Sequence, residues 1–132
     1  MALEKYVYPA TVSPEPSGLY SIWFDDLDCC ATQGDSIIDA LDAAADVLAG
    51  WIYAAQKQNY PIPAPSSIDD VKHAPGQFVT YIVADVEAYR RLNDSYAVKK
   101  TLTIPNWLNE KAEAANVNYS KILQDALMQY LG

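Results

Sequence analysis

The segment Lys99-Lys100-Thr101-Leu102-Thr103-Ile104-Pro105 constrains this chain most, because it alternates like a strand and stops at a proline. Lys99, Thr101 and Thr103 share one face while Leu102 and Ile104 share the other, which predicts a short strand with one side against a core. Such a strand is too short to fold alone, so it implies a dimer. Pro105 cannot donate to a ladder, but its φ suits a first helical turn, so the strand ends and a helix begins there. That helix is expected to run to about Ala115, with Leu108, Ala112 and Ala115 at helical spacing. Asn116-Val117-Asn118 then breaks the pattern. Asn118 is a suitable N-cap for a second helix, roughly Tyr119 to Leu131, whose Ile122, Leu123, Ala126, Leu127, Tyr130 and Leu131 form a broad apolar face. A free helical hairpin cannot hide that much apolar surface.

Over its whole length, residues 98–132, this strand–helix–helix segment resembles the ribbon-helix-helix family of DNA-binding proteins. The resemblance implies that the strands of two chains pair as an antiparallel ribbon in the major groove. Lys99, Thr101 and Thr103 would face the base edges, where lysine donates to guanine and threonine hydrogen-bonds or contacts the thymine methyl. It also implies a phosphate clamp at the second helix's N-terminus, here Asn118, Ser120 and Lys121, where free amides, the helix dipole and the ammonium favour an anion. The chain departs from the family at Lys100, which falls on the parity of the apolar face, and at the turn, where Asn116 replaces the usual glycine. The plainer alternative is a strand and hairpin packed on their own domain, with Lys99 and Lys100 solvated.

With 132 residues, the chain has room for one ordinary domain and a small appended module. We therefore expect a domain over 1–97 and a dimerising, DNA-binding module over 98–132. Charge divides along the same line. Residues 1–97 hold 5 Lys and Arg against 14 Asp and Glu, a net −9, whereas 98–132 hold 4 against 3, a net +1. An acidic body cannot be the DNA binder, so two partners of opposite sign are expected, a nucleic acid and a basic protein, and the ribbon-helix-helix resemblance implies that the nucleic acid is operator double-stranded DNA. No run approaches the roughly 20 apolar residues that span a bilayer, and the first residues lack a signal-peptide core. The expectation is a cytoplasmic protein with no membrane partner.

The body predicts a hairpin, a long helix and a further strand, hence an α+β fold in which a small antiparallel sheet packs on that helix. Glu4 to Val12 and Leu19 to Phe24 are β-branched and aromatic runs flanking the turn-forming Ser13-Pro14-Glu15-Pro16-Ser17-Gly18. Asp35 or Ser36 caps a helix to about Gln58. On it Asp35, Asp39, Asp42 and Asp46 fall within about 60° of one another, opposite Ile37, Leu41, Leu48 and Ile52. Pro61-Ile62-Pro63-Ala64-Pro65 ends the helix as a stiff connection, and Gln77 to Val83 is the third strand. Asp85 to Tyr96 fits either a helix or a fourth, edge strand.

Little in the body points to catalysis. Cys29 and Cys30 are adjacent, which gives neither a loop-closing disulfide nor metal-ligand spacing. His73, the single histidine, sits in a Pro/Gly-rich loop with no nucleophile near it in sequence. Asp25, Asp26 and Asp28 cluster at a strand end, as a two-metal nuclease would need, but no second strand carries an inward acid at its centre. No enzyme activity, no metal and no cofactor are expected.

A second resemblance rests on Tyr8-Pro9-Ala10, the run Gly18 to Cys29, Ala31-Thr32-Gln33-Gly34-Asp35, Ala40-Leu41 and the Pro63-Ala64-Pro65-Ser66 exit. From residue 3 to about 84 these motifs are similar to the HicB antitoxin family, of which a ribbon-helix-helix tail is a known companion. The resemblance implies a truncated RNase H-like fold that binds and occludes a small basic toxin, HicA, an mRNA-cleaving ribonuclease. The chain departs from the family pattern Pro-Asp-Leu-Pro-Gly-Cys, which here is Asp25-Asp26-Leu27-Asp28-Cys29-Cys30. The expected protein is thus an antitoxin and autorepressor, dimeric through its ribbon and open to higher assembly. Its acids at Asp25, Asp26, Asp28, Asp39, Asp42 and Asp46 would face the toxin; the alternative is an ordinary solvated face on the helix, with the sheet and the loop from Asp25 to Cys30 as the main contact. A stand-alone repressor with a ligand-sensing N-terminal domain is the alternative.

Overall fold

The computed structural model describes residues 4–28 and 30–132. The chain divides into two compact units, one ending at Ser95 and one from Tyr96 to Gly132. In the first unit four antiparallel strands form one sheet in the order β3-β2-β1-β4, where β1 is Lys5–Pro14, β2 Tyr20–Trp23, β3 Ala31–Gly34 and β4 Phe78–Asp85. This is the expected α+β class, with one strand more than the sequence suggested. β3 escaped notice because Ala-Thr-Gln-Gly carries no apolar alternation; pairing with β2, Ile22 opposite Thr32, makes it a strand.

β1 runs through the middle of the sheet. It pairs with β4 from Lys5 to Val12 and with β2 from Thr11 to Pro14. Pro9 lies where β1 has a neighbour on one side only, so its missing donor need not break a ladder bond. Alternate side chains Tyr8, Ala10 and Val12 face inward with Ile22, Ile82 and Ala84, and all are buried.

Helix α1 (Ile37–Lys57) lies on that inner face. Ser36 caps it, its hydroxyl accepting from the Asp39 amide at 3.1 Å. The face it buries is small-residue rich: Ala40, Ala44, Leu48, Ile52 and Ala55 are 5% exposed or less, which lets helix and sheet approach closely. Gly34 marks a close approach, since a Cβ there would stand 2.3 Å from the Ala40 backbone nitrogen. The helix ends in a Schellman turn. Asn59 takes the left-handed conformation at φ 53° while the Tyr60 amide donates to Ala55 O at 2.9 Å.

The ambiguous stretch after β4 is a helix, α2 (Val86–Asn93), because the Asp85 carboxylate accepts from the Ala88 amide at 3.0 Å and starts it. It is held to α1 and β1 by polar contacts. Arg90 pairs with Glu4 at 3.0 Å and Lys57 with Asp94 at 3.2 Å, while the Tyr53 hydroxyl donates to the Asp94 carboxylate. The Tyr53 bond first, and Lys57 next, hold the Asp94 carboxyl below its ordinary range.

The second unit holds α3 (Asn106–Ala114) and α4 (Tyr119–Leu131). Pro105 stands one place earlier than the sequence suggested, at the N-cap, with ψ of 144°. Between the helices Asn116, at φ 54°, makes a second Schellman turn, its amide donating to Glu113 O at 3.0 Å and that of Val117 to Ala112 O at 3.3 Å. Residues 95–105 form no strand in the single chain. The reason is elementary: a strand exists only by pairing, and residues 96–132 hold nothing to pair with it.

Candidate functional site

No residue of the C-terminal unit is buried. Leu102 is 63% exposed, Ile104 46%, Trp107 61%, Ile122 52%, Leu127 48% and Met128 63%, so both helices and the segment before them show bare apolar surface. Lys99, Thr101 and Thr103 are exposed in that same segment. Asn118 caps α4, its side-chain oxygen accepting from the Lys121 amide at 3.1 Å. One of the free amides at that end is therefore taken, while those of Tyr119 and Ser120 have no intrahelical acceptor. Lys121 reaches Asp125 at 3.3 Å, an exposed pair weak enough to yield to a better anion.

In the N-terminal unit Asp39, Asp42 and Asp46 are exposed along the solvent side of α1, together with Asp35 just before it. Asp25 and Asp28 are exposed in the turn between β2 and β3, while Leu27 and Cys30 point inward at 3% exposure. Burial pushes the Cys30 thiol up to about 11. Asp26 differs from its neighbours. Its half-buried carboxylate accepts from the Ser66 amide at 2.8 Å and from the Ser66 hydroxyl at 2.6 Å, so it fastens the proline-rich connection to this turn. The Tyr8 hydroxyl anchors the same connection by donating to Pro63 O. Its pKa is raised chiefly by burial and then by the nearby Asp26. On the other side Trp51 Nε1 donates to Asp28 O at 3.2 Å. The turn is thus an acidic knuckle tied to the proline-rich connection through Asp26 and to α1 through Asp28 O, with the Asp25 and Asp28 side chains exposed.

His73 is exposed, its Nδ1 3.2 Å from Ala74 O. Among the described residues no group of three or more His, Cys, Asp or Glu could hold a metal ion, and no helix is long and apolar enough to cross a membrane. Cys29 lies outside the described residues.

Sequence offered the sheet as an alternative toxin contact without showing which residues share its face opposite α1. Strand register places Val7, Pro9, Thr11, Trp23, Val79, Tyr81 and Val83 there. Val7 is 43% exposed, Tyr81 47% and Val83 57%. The available signal was β4 itself: Phe78-Val79-Thr80-Tyr81-Ile82-Val83 lacks the polar residues that a solvated face would show at every second place.

Residues 7–75, the greater part of the N-terminal unit, match the model of the HicB-like antitoxin of bacterial toxin–antitoxin systems. The chain belongs to the HicB-like antitoxin family. Antitoxin HicB of Escherichia coli strain K12 is 35% identical over 66 residues, 50% of this chain and 48% of that protein. The chain thus matches the curated relatives over about half their length. Two solved structures resemble this HicB-like chain over nearly all of it. A toxin–antitoxin complex from Streptococcus pneumoniae has a chain 25% identical at a TM-score of 0.62, covering 96% of this chain and 99% of that one. A crystal structure of antitoxin HicB3 is 26% identical at 0.51, covering 92% and 95%.

Proposed function

We propose that this HicB-like chain is the cytoplasmic antitoxin of a type II toxin–antitoxin pair, which neutralises a HicA-type mRNA ribonuclease by covering it and represses its own operon. One observation carries the reading: an acidic, self-contained unit bearing the family match is joined to a tail whose apolar surface is bare. The first unit acts by binding rather than by chemistry. Its net −9 draws a basic toxin, through Asp39, Asp42 and Asp46 on α1 and through Asp25 and Asp28 on the knuckle. Asp26 holds the knuckle in shape.

Two tails pair through residues 98–104 as an antiparallel ribbon, placing Leu102 and Ile104 on a shared core with α3 and α4. The same pairing turns Lys99, Thr101 and Thr103 outward to base edges. Asn118, Ser120 and Lys121 hold a phosphate at the start of α4, where the Tyr119 and Ser120 amides are unpaired in the helix. An operator of two half-sites matches the two-fold axis of such a dimer.

Co-purification with the neighbouring small basic gene product, followed by titration of operator and random DNA, tests both halves. Thr101→Ala and Thr103→Ala should each cost about 1–3 kcal/mol on operator alone. Lys121→Ala should weaken all DNA alike and flatten the salt dependence. Equal losses on both DNAs for the threonines would exclude them as readers, and a monomer at micromolar concentration would exclude the ribbon.

A further inference from the structure

Helix α2 is attached to the first unit differently from every element that packs on the core. Of its residues only Val86 is buried, and Leu92 is 83% exposed. Tyr89 lies over Gly50 of α1, where a Cβ would come within 3.0 Å of its hydroxyl, and its ring stands 5.7 Å from that of Tyr53. The polar contacts gather at the C-terminal end of α2, on the last two turns of α1. Tyr53 is their hub: its hydroxyl donates to the Asp94 carboxylate, and its ring centre has Lys57 Nζ at 5.1 Å and the Arg90 guanidinium at 5.5 Å. Lys57 closes on Asp94 at 3.2 Å, while Arg90 reaches Gln56 at 3.3 Å and Glu4 at 3.0 Å.

These ties are partly solvated, with the Lys57 side chain 55% exposed and that of Arg90 37%, so each is weak alone and screened by salt. A helix as short as α2 is marginal without its docking. It is therefore the element of the first unit that opens at least cost. Its place in the chain gives the opening a consequence. Asp94 is the C-cap of α2, the first unit ends at Ser95, and residues 95–105 form neither helix nor strand. We propose that α2 is a releasable strap, latched by Tyr53, Lys57 and Asp94, which sets the length of the tether between the two units. Docked, the tether begins at residue 95. Released, it gains residues 86–94, roughly 30 Å of extended chain at about 3.3 Å per residue. The strap itself is independent of the antitoxin reading; its effect on assembly rests on the ribbon, since two first units joined through paired tails can stand farther apart when their straps are free.

Hydrogen exchange of the full chain, followed by mass spectrometry on peptides from α2, reads the latch. Amides of α2 should exchange well before those of β1 and α1, and faster still as salt rises. Tyr53→Phe keeps the ring and removes only the hydroxyl; it should speed α2 exchange several-fold and leave the melting transition of the first unit in place, as should Asp94→Asn. Exchange of α2 in step with the α1 core, unmoved by salt and by both variants, would overturn the proposal. If either substitution disturbs the fold, the wild-type salt series makes the same decision. X-ray scattering from the same samples reads the tether: release should enlarge the radius of gyration, and faster α2 exchange at an unchanged radius would exclude a part in tether length. A monomer in sedimentation would sink the ribbon reading instead, and leave the strap to stand or fall on exchange and radius.

Discussion

In the N-terminal unit Tyr8, Ile22, Phe24, Leu48 and Ile52 are each at most 2% exposed, whereas in the C-terminal unit Trp107, Ile122 and Met128 are all more than half exposed. Both stretches are rich in apolar residues at regular spacing. The difference is closure. A four-stranded sheet and a 21-residue helix give each other a complete partner surface within one chain. Two helices of 9 and 13 residues do not. Local order in the tail comes instead from caps and turns at Pro105, Asn116 and Asn118, which fix where helices start and stop without providing a core. A unit of the first kind can be stable alone. One of the second kind leaves its stability to whatever covers it.

The largest effect is expected from Leu102→Asp with Ile104→Asp. Charge on the apolar side of the ribbon should abolish dimerisation and operator binding outright while the N-terminal unit keeps its melting transition. Sedimentation and circular dichroism on one sample report both, and a surviving dimer would move the dimer interface out of the tail. Leu48→Ala should do the reverse. Removing a fully buried side chain between α1 and the sheet should cost about 2–5 kcal/mol in denaturant titration and leave the isolated tail's helicity alone.

Smaller effects are expected within the first unit. Asp26→Ala removes both acceptors for Ser66, and a loss of about 1–3 kcal/mol is expected from the two freed donors, with faster proteolysis of residues 61–66. Gly34→Ala places a methyl group against the α1 backbone and should cost about 1–3 kcal/mol, read as a lowered midpoint in urea. Asp39, Asp42 and Asp46 changed together to Asn should only slow association with the toxin several-fold at low salt, an effect that stopped-flow mixing should see fade as salt rises. Undiminished rates at low salt would remove the stripe from any part in encounter.

Much of the architecture was written locally. The period of α1 and α4 and their caps at Ser36 and Asn118 are properties of a few neighbouring residues, and so are legible without any knowledge of the fold. The hairpin of β1 and β2 and the α+β class follow from alternation interrupted by a proline-rich turn. Where local signals were weak or balanced, distant contacts decided. Ala31–Gly34 is a strand only because β2 lies beside it, and the helix Val86–Asn93, started locally by the Asp85 cap, is held where Arg90 finds Glu4.

The same holds for side-chain roles. That Asp25, Asp26 and Asp28 are close is plain from sequence; that Ser66, forty positions on, claims Asp26 and leaves the other two free is not. Nor can sequence alone say that Val7, Trp23, Tyr81 and Val83, from three strands, share one face of the sheet, because only register across the sheet brings them together. The long helices, their caps and the charge of each half were legible because they depend on neighbours along the chain. Tertiary structure decided which apolar faces are covered and which carboxylates are spent, since burial and hydrogen bonding are settled by residues far apart in the chain.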